Sequence, residues 1–229
     1  MPRKSCNSFE ELRRLKGGKL SPEEIKNFLD QSYNKNAKEH LNGYVLDKSI
    51  SSDTAKVYHN PTTKQTVVAH RGTSGIKDWA NNLAYAVGAY KYTDRYKKGK
   101  RAQEEAEKKY GKQNISTLGH SQGAVNAREL GKDTKEIINV NPAYRFEKPS
   151  KNEYTIRSSS DVVSAPFAPI AKAREYLFPG QSKSHDITIK SKSPTDVLGE
   201  HSYNILDRLP SDKTIGRGRS AGEINWFMG

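Results

Sequence analysis

Cysteine, long apolar runs and large aliphatic residues are all scarce in this chain of 229 residues. A single cysteine, Cys6, excludes a disulfide framework within the chain and a zinc site built from several cysteines. No stretch approaches the roughly 18–20 apolar residues of a membrane-spanning helix. A secretory signal peptide needs an apolar core, which is absent from the N-terminal sequence MPRKSCNSFEELRR. We therefore expect a protein of the cytoplasm or of the periphery of a membrane.

Charge is the most unusual feature of the composition. Lys and Arg number 39 against 26 Asp and Glu, which gives a formal net charge of +13. Such a balance favours an anionic partner, either an anionic membrane surface or nucleic acid. Nucleic acid is the disfavoured partner, because the sequence contains no recognised nucleic-acid-binding motif. A third interpretation, a solvated basic surface without a partner, stays open.

Leu, Ile, Val and Phe make up only about 18% of the chain, close to the level at which a highly charged sequence is suspected of disorder. The 12 tyrosines argue against disorder, because tyrosine also fills protein cores. The sequence divides into a basic N-terminal arm (1–20), a folded domain (21–209) and a flexible tail rich in Gly, Ser and Arg (210–229). The number of subunits cannot be deduced from it.

Strand-like and helix-like segments alternate through the domain, which predicts an α/β fold with a mostly parallel sheet and helices on both faces. The segment Ser21-Pro-Glu-Glu has the pattern of a helix start, with serine as the N-cap and proline in the first position. The predicted helices cover 22–39, 93–110 and 121–132, and the predicted strands cover 44–50, 55–58, 65–70, 114–118, 136–140, 154–156 and 186–189.

The pentapeptide Gly119-His120-Ser121-Gln122-Gly123 has the form G-x-S-x-G. In this motif the serine sits on a sharp strand-to-helix turn that exposes its hydroxyl, and the glycines avoid clashes within the turn. The backbone amide of Gln122 can donate to an oxyanion at the start of the following helix. An apolar strand precedes the motif and an amphipathic helix follows it, so Ser121 is a candidate nucleophile.

A second motif precedes this pentapeptide by about 50 residues. It consists of an apolar strand ending in His70-Arg71-Gly72-Thr73, followed by Asp78-Trp79. With both motifs in this order, residues 40–207 resemble the class 3 (fungal-type) lipases of the α/β-hydrolase superfamily. The resemblance implies an α/β-hydrolase fold and a serine ester hydrolase that needs no metal or organic cofactor. Cells and large DNA viruses both encode related proteins.

The resemblance also assigns roles to single residues. Thr73 and Gln122 look like the two residues of the oxyanion hole, while Arg71 and Asp78 look structural. His70 departs from the family, which usually has an aromatic residue there. It either adds a titrating group beside the pocket or is a histidine with satisfied hydrogen bonds at the end of a strand.

The remaining members of a catalytic triad are expected after Ser121, in the order Ser, Asp, His. The family pattern Asp-Val-Val-x-x-Pro matches Asp161 to Pro166, so Asp161 is the expected acid and Asp133 a poorer candidate. His201 is favoured as the base over His185, because the family has its base late in the chain with a tyrosine shortly after it.

Two apolar segments are candidates for contact with substrate. Residues 81–90 occupy the position of the family's lid, and the loop after Asp161 carries Phe167, Tyr176 and Phe178. Either segment can instead belong to the core. The leading hypothesis is a lipase-type hydrolase of acyl esters of lipids. The alternative is an inactive hydrolase-fold module that binds anionic membranes or nucleic acid.

Overall fold

The computed structural model describes residues 20–73, 93–143, 150–161, 185–193 and 195–209. The predicted lid, the Asp78-Trp79 pair and the apolar loop after Asp161 lie outside these ranges. The same holds for the C-terminal tail and for residues 1–19 of the N-terminal arm.

The described residues form one mixed sheet of eight strands, which lie side by side in chain order and come from the first four of these ranges. The pairs from β1 to β4 are antiparallel, and those from β4 to β8 are parallel. The prediction of an α/β fold with a mostly parallel sheet is therefore confirmed. The strands are β1 (His40–Leu41), β2 (Tyr44–Leu46), β3 (Ala55–His59), β4 (Thr66–His70), β5 (Ile115–His120), β6 (Glu136–Val140), β7 (Glu153–Ser158) and β8 (His185–Ile189).

Helices connect or flank these strands, and the first begins where the sequence predicts. Ser21 caps it with a complete capping box, in which the serine hydroxyl accepts from the amide of Glu24 and the Glu24 carboxylate accepts from the amide of Ser21. The α-helices are α1 (Pro22–Tyr33), α2 (Asp94–Tyr110), α3 (Gly123–Leu130) and α4 (Val197–His201), with 3-10 turns at Lys112–Asn114 and Tyr203–Arg208.

The structure corrects two predicted boundaries. The first helix ends at Tyr33 rather than near residue 39, because Asn34 is extended and its side chain accepts from the amide of Asn36. The strand predicted over 44–50 stops at Leu46, since the Asp47 carboxylate accepts from the amide and hydroxyl of Ser49 and forms a turn.

The two faces of the sheet bury separate apolar clusters. Val67 and Ala69 of β4 lie in the cluster that contains Phe28 of α1. Val68 points the other way and lies in the cluster that contains Ala102 of α2. Because successive side chains of a strand alternate between faces, β4 is covered by helices on both sides, as predicted.

The parallel part of the sheet brings four loops to one edge. Parallel strands end at the same edge, and the segments that follow β4, β5, β7 and β8 lead to Thr73, Ser121, Asp161 and His201.

Among the described residues, no helix is both long and apolar enough to cross a bilayer.

Candidate active site

Ser121 occupies the turn between β5 and α3 in a backbone conformation that L-residues rarely adopt. Its φ is +54°, in the left-handed region. The turn is fixed at both ends, because the Ser121 amide donates to the carbonyl of Val140 and its carbonyl accepts from the amides of Ala124 and Ala143. The strained strand-to-helix turn expected of the G-x-S-x-G motif is therefore present.

The glycines of this motif are required by close packing. A Cβ on Gly119 would lie 2.4 Å from the Cα of Ala124, and one on Gly123 would lie 2.2 Å from the carbonyl oxygen of His70. Both distances are far below van der Waals contact. The segment that follows β4 thus packs directly on the start of α3.

The side chains of Asp161, His201 and Ser121 form one hydrogen-bonded chain. The His201 Nδ1 lies 2.7 Å from Asp161 Oδ1, and the His201 Nε2 lies 2.9 Å from the Ser121 hydroxyl oxygen. An ionised carboxylate only accepts, so Nδ1 carries the proton and Nε2 is free to accept from the serine. The three residues are buried, with exposures of 0%, 0% and 4%. A general base within reach of a nucleophile, oriented by an acid, is the arrangement that activates a hydroxyl.

Neither alternative candidate reaches this site. His185 begins β8 and pairs with Tyr154, at the edge opposite to the one where β7 leads into Asp161. Four residues of strand separate the two edges, about 13 Å. Asp133 lies in an exposed ion pair with Lys112, 3.1 Å away. The structure thus brings Asp161 and His201, rather than these two alternatives, to Ser121.

The two residues expected to form an oxyanion hole are joined to each other. The Thr73 hydroxyl donates a short hydrogen bond to the side-chain oxygen of Gln122, which ties the end of β4 to the start of α3. Gly72, next to Thr73, packs so closely on the serine that a Cβ on Gly72 would lie 2.9 Å from the Cβ of Ser121. The backbone of both segments therefore flanks the serine.

His120 links this loop to the candidate base, a role that the sequence analysis missed. The Tyr33 hydroxyl accepts from the amide of Gly72 (2.8 Å) and lies 2.7 Å from His120 Nδ1. His120 Nε2 lies 2.8 Å from the carbonyl oxygen of His201, which only accepts, so Nε2 carries the proton of the neutral ring and Nδ1 accepts from the Tyr33 hydroxyl. Burial, reinforced by the nearby His201, lowers the pKa of His120 to about 4. The ring is neutral at neutral pH, as this network requires.

No family model matches the chain, and no curated protein matches it.

Tyr203, which is half-buried, packs against the same network. Its ring lies edge-on to His120, with centroids 5.2 Å apart, and it also contacts the ring of Tyr33. Its hydroxyl donates to the exposed Asp30. The tyrosine expected shortly after the base therefore packs against the site without bonding to the three central side chains.

Glu200, next to the candidate base, anchors the segment that carries it. Its carboxylate accepts from the Ser158 hydroxyl, from two nitrogens of the Arg208 guanidinium and from the amides of Lys192 and Ser193. The hydrogen bonds from Arg208 are the largest influence that holds the pKa of Glu200 far below its usual range. A charged glutamate thus joins α4 to the end of β7.

His70 is a buried structural histidine and lies away from the serine. Its Nε2 donates to the side-chain oxygen of Gln103 on α2, 3.1 Å away, and burial lowers its pKa to about 4. Its place at the end of a strand agrees with the second interpretation, but the satisfied hydrogen bonds do not, because the buried Nδ1 has no hydrogen-bond partner among the described residues. Among the described residues, no cluster of His, Cys, Asp and Glu is arranged to hold a metal ion.

Proposed function

We propose that the chain is a serine ester hydrolase of the lipase type, with an α/β-hydrolase fold. The observation that carries the proposal is the hydrogen-bonded chain from Asp161 through His201 to Ser121. The proposal extends to membership of the class 3 lipase family, on the two motifs described above.

The proposed mechanism uses only side chains and amides of this chain. His201 Nε2 takes the hydroxyl proton of Ser121 as the serine oxygen attacks an ester carbonyl. Asp161 accepts from the imidazolium and stabilises it. The protonated His201 then donates to the leaving alcohol, which departs and leaves an acyl group on Ser121. Water, deprotonated by His201, attacks this acyl-enzyme and releases the acid.

The oxyanion of both tetrahedral intermediates needs two donors. The backbone amides of Thr73 and Gln122 are proposed for this role, since their segments flank Ser121 and are fixed to each other by the Thr73 hydroxyl. Amides held in advance at such a position cost no reorganisation during the reaction, and each is typically worth about 10²–10³ in rate.

Lipid acyl esters, either triacylglycerol or phospholipid, are the proposed substrates. The resemblance to lipases supports a substrate with a lipid acyl chain. The net charge of +13 supports a substrate that lies in an anionic lipid surface. Each basic residue near such a surface contributes about 1 kcal/mol of attraction. Phospholipid satisfies both arguments.

Hydrolysis of nitrophenyl esters of increasing chain length tests the activity, in parallel with labelling by a fluorophosphonate. We expect the wild type to turn over these esters and to gain one phosphonyl group on Ser121. The Ser121→Ala variant should lose turnover by about 10⁵-fold or more and should not be labelled.

Ser116→Ala is the matched control, because Ser116 is also a buried serine but lies in β5 and donates to Glu136, at the end of the strand far from Ser121. It should keep both turnover and labelling. Equal activity of wild type and Ser121→Ala would refute the proposal. If the folded wild type stays silent with nitrophenyl esters and with anionic phospholipid vesicles, the inactive binding module becomes the better reading.

A further inference from the structure

Three consecutive carbonyl groups around the candidate base are each held by a side chain from the edge of the sheet. The carbonyl of His201 accepts from His120, at the end of β5. The carbonyls of Glu200 and Ser202 both accept from the side-chain nitrogen of Asn141, at distances of 2.9 and 3.1 Å. The side-chain amide of Asn141 therefore donates hydrogen bonds to the backbone on both sides of His201.

The same amide reaches the segment that carries the acid. The Asn141 side-chain oxygen accepts from the amide of Ser158, 2.9 Å away. Ser158 ends β7, and its own carbonyl accepts from the amide of Asp161. Because an amide nitrogen only donates and carbonyls only accept, these partners fix the orientation of the Asn141 side chain without ambiguity.

The backbone of Asn141 is also held in an unusual conformation. Its φ is +41°, and its amide donates to the carbonyl of Ile156 at 2.7 Å. Asparagine tolerates this left-handed region better than most L-residues. Glycine would tolerate it too but lacks the amide group. Asn141 is fully buried, so its hydrogen bonds do not compete with solvent.

We propose that Asn141 is a positioning residue that sets the imidazole of His201 relative to Asp161 and Ser121. Its side-chain hydrogen bonds go to backbone groups of Glu200, Ser202 and Ser158. It acts through the backbone segments that carry the acid and the base, and it holds both with one group. The proposal rests on the proposed function, because it assigns His201 as the base of that reaction.

Two variants and a control separate this role from a general effect on stability. Asn141→Ala removes the amide group and keeps a Cβ at positive φ, whereas Asn141→Gly removes the amide group and relieves the backbone. Asn139→Ala is the control. Asn139 is a buried asparagine of β6, and its amide donates to Glu153 rather than to the site. Thermal unfolding measures the stability of each variant, and all kinetics are run well below the lowest midpoint.

With nitrophenyl esters, we expect both Asn141 variants to lose about 10–100-fold in kcat with KM within about twofold of wild type. The reason is that a displacement of about 1 Å between base and nucleophile is enough for such a loss. Fluorophosphonate labelling should slow by a similar factor. Asn139→Ala should keep the wild-type kcat although it is destabilised. Wild-type kcat in Asn141→Gly, or an equal loss in Asn139→Ala, would overturn the proposal.

A spectroscopic readout works even if no ester is hydrolysed. The proton between His201 Nδ1 and Asp161 should give a far-downfield proton NMR signal at low temperature. We expect this signal in the wild type and in Asn139→Ala, and its shift or loss in both Asn141 variants. An unchanged signal in Asn141→Gly would overturn the positioning role. Absence of turnover and labelling in a wild type that shows the signal would instead count against the proposed function alone.

Discussion

Replacing Tyr33 by phenylalanine removes a single oxygen atom that two buried groups share. In the wild type this oxygen accepts from the amide of Gly72 and donates to Nδ1 of His120. The variant leaves both groups without the tyrosine as partner, at the edge of the site. The ring itself stays, so its packing against Tyr203 is retained.

The cost of this change can be worked from the two groups. A buried polar group that loses its hydrogen bond destabilises the folded state by about 1–3 kcal/mol. Two such groups give about 2–6 kcal/mol. Because Tyr33 is only partly buried, water can partially replace its hydroxyl, and we expect the lower half of this range, about 2–4 kcal/mol.

Urea unfolding of the wild type and the variant measures the loss directly. Tyr203→Phe is the matched control, since Tyr203 packs in the same aromatic group but its hydroxyl donates to the exposed Asp30. That bond is worth less than about 1 kcal/mol. A loss of unfolding free energy in Tyr33→Phe no larger than in Tyr203→Phe would show that the two buried groups do not depend on the Tyr33 hydroxyl.

Two further predictions concern buried charge. Burial lowers the pKa of His70 and His120 to about 4, so between pH 7 and pH 5 the unfolded chain binds protons that the folded chain does not. The free energy of unfolding should therefore fall by about 2 kcal/mol for each histidine as the pH is lowered from 7 to 5. Urea unfolding at both pH values measures this change. An unfolding free energy that is the same at both pH values would contradict the burial of the two neutral rings. Separately, Arg128 holds the fully buried carboxylate of Glu153 through Nε and Nη2 at 2.6–3.0 Å. Arg128→Met should lower the free energy of unfolding by about 3–5 kcal/mol, because it leaves the buried Glu153 carboxylate without its cation. The double variant Arg128→Met/Glu153→Gln should recover part of this loss. If Arg128→Met alone stays within about 1 kcal/mol of wild type in urea unfolding, the ion pair is not needed for stability.

The features that could be predicted from sequence have local causes. The start of α1 follows from Ser21 and the capping pattern after it, and the turn at Ser121 follows from the glycines that its close packing needs. The order of acid and base along the chain follows from a resemblance, and the structure brings Asp161 and His201 together.

The features that were missed depend on contacts between distant segments. Tyr33 looked like an ordinary apolar position of a helix, and His120 like the variable position of a motif. No pattern of the sequence singles out Asn141. Each acts through partners that the sheet brings close, such as Gly72, 39 residues from Tyr33. No local pattern records such a pairing.

Several hydrogen bonds in and around the site join residues that are far apart in the sequence, and this has a consequence for folding during synthesis. The bond between Tyr33 and His120 spans 87 residues, that between Ser121 and His201 spans 80, and Lys26 of α1 pairs with Asp207 across 181. Such long loops close late in folding. During synthesis, a nascent chain exposes Ser121 long before His201 has left the ribosome. Under the proposed function, Ser121 therefore stays unactivated until nearly the whole domain has been made and folded.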